Sequence, residues 1–299
     1  LRRWDDLELG ELIYTRLAGD EELAMMLACF KDGPAVFDME FPSDQQDGWK
    51  GGTQYPRICF RIDMQTNQER NSIGTLRVAL YTDKRSLVID DIEDIVKRRL
   101  KDVLMKPSGQ APFCVAWART EPFMLEGMAV LGKELLFDIY EYPKQEMEAP
   151  DPVEALNRYI KEHIEGIFVI GMDEMSSFKE ARAEEPLFYC RLETVKKQVE
   201  TNTITWMDGR IAVHVICPDV SARQEFVMAL TNRLSWDGKI PMLDGSPMRI
   251  QELMVNNKAD YLKEGQIYVT GHYGILRYKA KQKLTSVKMT GGFYGRFKK

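Results

Sequence analysis

Two stretches of the chain, 130 positions apart, carry the same alternation of apolar and polar residues. The first is Tyr55-Pro56-Arg57-Ile58-Cys59-Phe60-Arg61-Ile62-Asp63 and the second is Glu185-Pro186-Leu187-Phe188-Tyr189-Cys190-Arg191-Leu192-Glu193. In each a proline opens a run whose alternate members are apolar: Ile58, Phe60 and Ile62, then Phe188, Cys190 and Leu192. Period two predicts a strand with one buried face. Leu76, Val78 and Leu80 recur as Ile211, Val213 and Val215, so a second strand returns beside the first as a long hairpin. The offset grows from 130 to 135 across this hairpin, which assigns a five-residue insertion to the second tip. Ile92, Val96 and Leu100 match Phe226, Leu230 and Leu234 at helical spacing. Phe113 and Val115 match Met248 and Ile250, and Glu134 to Tyr140 matches Ile267 to Tyr273.

This ordered recurrence predicts an α+β fold of two tandem homologous units, each a mainly antiparallel sheet with a long β-hairpin packed by two helices. The first unit is expected over residues 1–142 and the second over 153–278. A proline-rich linker, 143–152, separates them, and a basic arm, 279–299, follows. Within the units, apolar spacing predicts helices over 7–30, with a bend at Gly19-Asp20, over about 87–105, from Asp151-Pro152 onward, and over 221–235. Strands are expected at 111–118, 247–254 and 266–278, with Glu121 to Gly127 as an irregular crossing.

The turns carry the polar residues. The first hairpin tip, Met64 to Ser72, presents Gln65, Asn67, Glu69 and Arg70, and nothing in it is expected to be buried. The second, Thr194 to Trp206, presents Lys196, Lys197 and Gln198. Both are polar and too long for a simple turn, which makes them candidate assembly surfaces, with unpaired strand edges beside them. The glycine-rich loop Ser43 to Gly52 holds Trp49, which either anchors a partner or folds back on its own unit.

At 299 residues the chain suits two domains of about 150 residues each. With 44% hydrophobic and 29% charged residues it has a globular balance, not a disordered one. No apolar run approaches the roughly 20 residues of a membrane helix, and no signal-peptide pattern opens the sequence, so synthesis in the cytoplasm is expected. Cys29, Cys59, Cys114, Cys190 and Cys217 are odd in number and widely spaced, which fits buried free thiols. His163, His214 and His272 are too scattered for a metal site.

Charge is unevenly placed. Residues 1–150 hold 19 Lys and Arg against 27 Asp and Glu, a net of −8, whereas the arm has seven cations and no acid. The arm's candidate contacts are Lys279, Lys281, Lys283, Lys288, Arg296, Lys298 and Lys299 with Phe293, Tyr294 and Phe297. They suit either a nucleic-acid backbone or an acidic protein surface, while Leu284, Val287 and Met289 equally suit an added strand. No phosphate loop, nucleophile elbow, dinucleotide fingerprint or metal-binding helix motif occurs, so no enzyme, cofactor or metal is expected. The cluster Asp90, Asp91, Glu93 and Asp94 is explained by helix capping and the helix dipole instead of by a cation.

The helix Leu12 to Leu27, the loop 43–52, Tyr55-Pro56-Arg57-Ile58, the alternating strand Leu76 to Tyr81 and the helix Ile92 to Leu104 together resemble the tail terminator or tail completion proteins of tailed bacteriophages. The resemblance covers most of residues 7–140 and, more faintly, 153–278. It implies a homo-oligomeric ring, a hexamer or a pseudo-hexameric trimer, that caps a tail tube and meets tube, sheath, and head-tail connector or collar proteins, with DNA passing through its lumen and no membrane. It further implies assembly in a bacterial host cytoplasm and residence in a virion tail or headless tail-like particle. The doubling and the basic arm depart from the family pattern and leave ring stoichiometry open. A nucleic-acid-binding or processing factor that uses the arm is the alternative.

Overall fold

In the first hairpin Ile58 pairs with Leu80, Phe60 with Val78 and Ile62 with Leu76. In the second, Phe188 pairs with Val215, Cys190 with Val213 and Leu192 with Ile211. Ile62 and Leu192 are partly buried and the other ten side chains are fully buried. Opposed residues of an antiparallel ladder share a face. The alternation read along each strand is therefore the inner face of a sheet.

The computed structural model describes residues 4–83, 88–125, 130–146 and 149–277. Helices α1 (Trp4–Ala18) and α2 (Glu21–Met26) come first, then the ribbon β1 (Cys29–Phe30) and β2 (Gly33–Pro34), and β3 (Val36–Asp38). β4 (Arg57–Asp63), β5 (Gly74–Asp83), α3 (Ile89–Leu100), β6 (Val103–Met105), β7 (Phe113–Met124) and β8 (Val130–Glu141) follow. Then come α4 (Pro152–His163), β9 (Phe168–Val169), β10 (Phe178–Glu180), β11 (Leu187–Glu200) and β12 (Ile204–Ile216). α5 (Val220–Asp237), β13 (Lys239–Pro241), β14 (Pro247–Val255) and β15 (Ile267–Leu276) complete the described chain.

The result is a mixed α+β fold with two curled sheets. One runs β10-β6-β7-β8-β5-β4-β3 and the other β13-β14-β15-β12-β11-β9. With β10 set aside the two orders correspond strand for strand, and in each the last pair is parallel and the rest antiparallel. Helices α1, α2 and α3 supply Leu9, Ile13, Leu17, Leu23 and Val96 to the first core, and α4 and α5 supply Leu156, Tyr159, Leu230 and Leu234 to the second. Each of the buried Phe60, Phe137 and Phe188 contributes about 1.5–3 kcal/mol by leaving water.

Several elements depart from the sequence reading. The first helix is broken, not bent: α1 stops at Ala18, and Asp20 caps α2 by accepting the Leu23 N–H at 2.7 Å. Its apolar continuation, Cys29 and Phe30, is extended chain. The helix expected to 105 ends at Leu100 because Asp102 takes φ 55°, and Val103–Met105 becomes a buried strand. The α3 carboxylates do not cap it, since the capping residue is Val88 and makes no side-chain cap. Glu93 instead bonds Lys97 at 2.6 Å, Lys133 at 2.5 Å and the Thr120 hydroxyl at 2.7 Å. β7 runs on through the supposed crossing to Met124, with a register shift between Trp117 and Arg119 that hides its period. The match of Glu134 with Ile267 is one residue out. Leu135 faces Val78 as Ile267 faces Val213, and a slip of one would put every side chain on the wrong face.

The two sheets are joined more tightly than a linker implies. β10, from the stretch expected in the second unit, pairs with β6 at the edge of the first sheet. A third apolar cluster, which includes Leu104, Tyr142, Phe168, Ile170, Tyr189 and Leu262, fills the joint. Tyr142 donates to Leu262 O at 3.0 Å, and the Tyr142 and Tyr189 rings meet edge to face at 5.1 Å. The segment after Tyr142 lies along β11: Tyr189 donates to Pro143 O at 3.0 Å, and Gln145 Oε1 accepts the Leu192 N–H at 2.7 Å. Among the described residues no helix is long and apolar enough to cross a membrane.

Candidate assembly surfaces

The first hairpin tip is folded down. Asn67 and Ser72 bridge through their backbones at 2.9 and 3.2 Å, and Ser72 is buried, against the expectation that nothing in this tip would be. Arg70 reaches both carboxylate oxygens of Asp138 at 3.3 Å, and Lys263 donates to Glu69 O at 3.2 Å from the other sheet's side. Arg70 thus spends its charge within the chain, while Gln65, Asn67 and Glu69 stay exposed. The short loop needs these contacts because its residues offer no apolar face.

The second hairpin differs in kind. Its extra residues lengthen the strands, and the turn itself is only Thr201–Thr203, closed by Thr201 Oγ1, which accepts the Ile204 N–H at 3.0 Å. A register shift between Leu192 and Thr194 sets Val195 opposite Gly209, on the face that carries Ile211. Past the body this face has little to cover it among the described residues, and Val195 is 44% and Val199 59% exposed. β9 pairs with β11 only at Leu187 and Phe188. From Glu193 to Glu200 the outer edge of β11 pairs with no strand among the described residues.

The opposite face of this three-stranded tongue holds a polar row. Lys196 faces Asp208, Asp208 faces His272 and His272 faces Arg249 across four strands. His272 Nδ1–H donates to Asp208 Oδ1 at 2.6 Å, and Gln198 donates to the other oxygen. Trp206 stacks on the imidazole with 5.0 Å between centroids and 7° between planes. Gly274 allows this, since a Cβ there would meet Ile204 at 2.9 Å and the Trp206 ring at 3.3 Å. Beside the stack lies a cavity of about 450 Å³, lined by Arg249, Ser246 and Leu276 among others. Lys197 pairs with Glu200, and Glu200 also pairs with Arg277.

Of the residues singled out from sequence, Lys196 and Gln198 join this row. Trp49 turns inward: it packs on Phe30 at 4.9 Å and Phe37 at 6.0 Å, and its Nε1–H donates to Ser43 O at 3.1 Å. The arm residues Lys279 to Lys299 lie outside the described residues. Their point of departure is fixed, because Arg277 N–H donates to Thr203 O at 2.7 Å and its guanidinium to Thr201 O at 3.2 Å. Sequence reasoning missed Asp208, His272 and Trp206. They sit on polar positions of alternating strands, and only the cross-strand register brings them together.

All five cysteines are free, and Cys114, Cys190 and Cys217 are buried. His214 is buried in the joint, with Nδ1–H donating to Tyr261 O at 2.9 Å, and burial lowers its pKa to about 4. Among the described residues no three His, Cys, Asp or Glu side chains are grouped to hold a metal ion. No protein-family model, curated protein or solved structure matches this chain.

Proposed function

We propose that this chain is a structural assembly protein of two tandem homologous units, forming the ring that closes a bacteriophage tail tube or a headless tail-like particle. The matching strand orders and hairpin registers support the duplication. The observation that carries the assembly reading is the long tongue, with a β11 edge that pairs with no strand among the described residues and exposed Val195 and Val199. Self-association through this tongue gives a hexamer or a pseudo-hexameric trimer. Tube, sheath and collar proteins are the further partners. Mass photometry with negative-stain imaging tests this, alone and with tail tubes. Rings of defined mass on tube ends are expected, and a monomer that leaves tube ends bare would overturn the reading.

A further inference from the structure

Where the two sheets meet, α3 and β7 on one side and α5 with the 256–265 loop on the other enclose a cleft of about 650 Å³. This is within the size of small-molecule sites, which favour such junctions. Val115 and Phe137, both buried, are part of its apolar wall. Trp117 lines it at 49% exposure, with the Lys97 ammonium 4.0 Å from its ring centroid.

The charge lining this cleft opposes that of the whole chain. The chain carries −5, but the cleft is lined by five Lys and Arg and two Asp. Lys97 is neutralised by Glu93 at 2.6 Å and Arg98 by Glu22 at 2.5 Å. Lys101, Arg223 and Lys258 remain: among the described residues none of the three has a carboxylate nearer than the 4.0 Å between Lys101 and Asp102, and Arg223 is held in place by donating to Cys217 O at 2.6 Å and lying 4.2 Å over the Tyr261 ring. Asp102 is itself engaged by the Tyr261 hydroxyl at 2.6 Å, and Asp260 accepts the Leu262 N–H at 2.9 Å. Three cations beside a half-exposed indole suit a flat ring that carries a phosphate of about two negative charges.

We propose that the cleft binds a nucleoside phosphate, with the base against Trp117 and the phosphate among Lys101, Arg223 and Lys258. The proposal does not rest on the ring reading. The ligand is either a free nucleotide or one unit of a single strand, which share this chemistry.

Calorimetric titration of the full chain at low salt tests it with dAMP, adenosine, inorganic phosphate and an oligo-dA. Expected is binding of dAMP roughly tenfold or more tighter than adenosine or phosphate alone, as a stacked base and a paired phosphate together require. The double variant K101Q/K258Q, at two exposed positions, should weaken dAMP by a similar factor with an unchanged melting temperature. Trp117→Leu should weaken dAMP but not phosphate. Reversal of the arm charges in K281E/K283E should change nothing. An oligo-dA that binds tighter than dAMP and loses that gain in Trp117→Leu supports the site and makes its ligand a strand, whereas equal affinities support the site and make it a free nucleotide. Equal binding of dAMP and phosphate, indifference to K101Q/K258Q, or loss of binding in the arm variant would each overturn the proposal.

Discussion

Tyr261 donates a 2.6 Å hydrogen bond to Asp102, a residue 159 positions earlier, across the joint between the two sheets. Asp102 is only 3% exposed and holds the left-handed turn that ends α3. Burial raises its pKa, and the bond from Tyr261 opposes that rise. Tyr261→Phe should therefore cost about 1–3 kcal/mol, the usual loss when a buried acceptor is left without its donor. Asp102→Asn keeps an acceptor in a residue that tolerates positive φ and should cost less than Asp102→Ala. Urea unfolding of the three variants ranks them.

A second prediction concerns acid. His214 has a folded pKa lowered by burial to about 4, below its ordinary 6.5. The unfolded chain takes up this proton first as pH falls. The stabilisation from keeping His214 neutral is complete above pH 6.5, is lost between 6.5 and about 4, and then levels off. The loss should be of the order of 3 kcal/mol, since one pKa unit is about 1.4 kcal/mol. His214→Gln should flatten that window in a series of denaturant melts, and an unchanged slope would remove His214 as its source.

Glu93 acts in a lower window. Burial pushes its pKa up, but the bonds from Lys133, Lys97 and Thr120 outweigh this and hold it at about 2. The sign is again loss of stability on acidification, now as pH falls from about 4.5 toward 2. Glu93→Gln should remove that component and leave the His214 window intact, which the same melts resolve.

The two hairpin tips should respond in opposite ways. Deletion of Gln65 to Asn71 strips Arg70 from the poorly exposed Asp138 and reopens the edge over Ser72, so it should lower monomer stability. Val195→Lys with Val199→Lys touches only exposed side chains and should change stability by no more than about 0.5 kcal/mol each. It should nevertheless abolish self-association in sedimentation experiments. Intact rings from the double lysine variant would take the tongue out of the assembly.

The parts of the fold that could be read from sequence are those where one face is buried over several residues. Ile58, Phe60 and Ile62 announce both strand and register because they share one apolar face and Arg61 between them lies outside. The same logic failed at β8, where Phe137, Asp138, Ile139 and Tyr140 are buried in succession and two registers fit equally. β10 has three residues and no period, and Val103–Met105 satisfies a helix as well as a strand, so the seam between the sheets was invisible. The tongue's polar row was hidden for a different reason. Asp208 and His272 are 64 residues apart, and only the ladder between β12 and β15 makes them neighbours.

The seam formed by β10 has a mechanical meaning. Three residues of one half lie antiparallel against β6 of the other, and Arg16 of α1 is tied to Glu180 at the end of that strand. A pull that separates the two sheets has to strip this strand from its neighbour. Load applied to the tongue therefore passes into the first sheet through a hydrogen-bonded splice as well as along the chain.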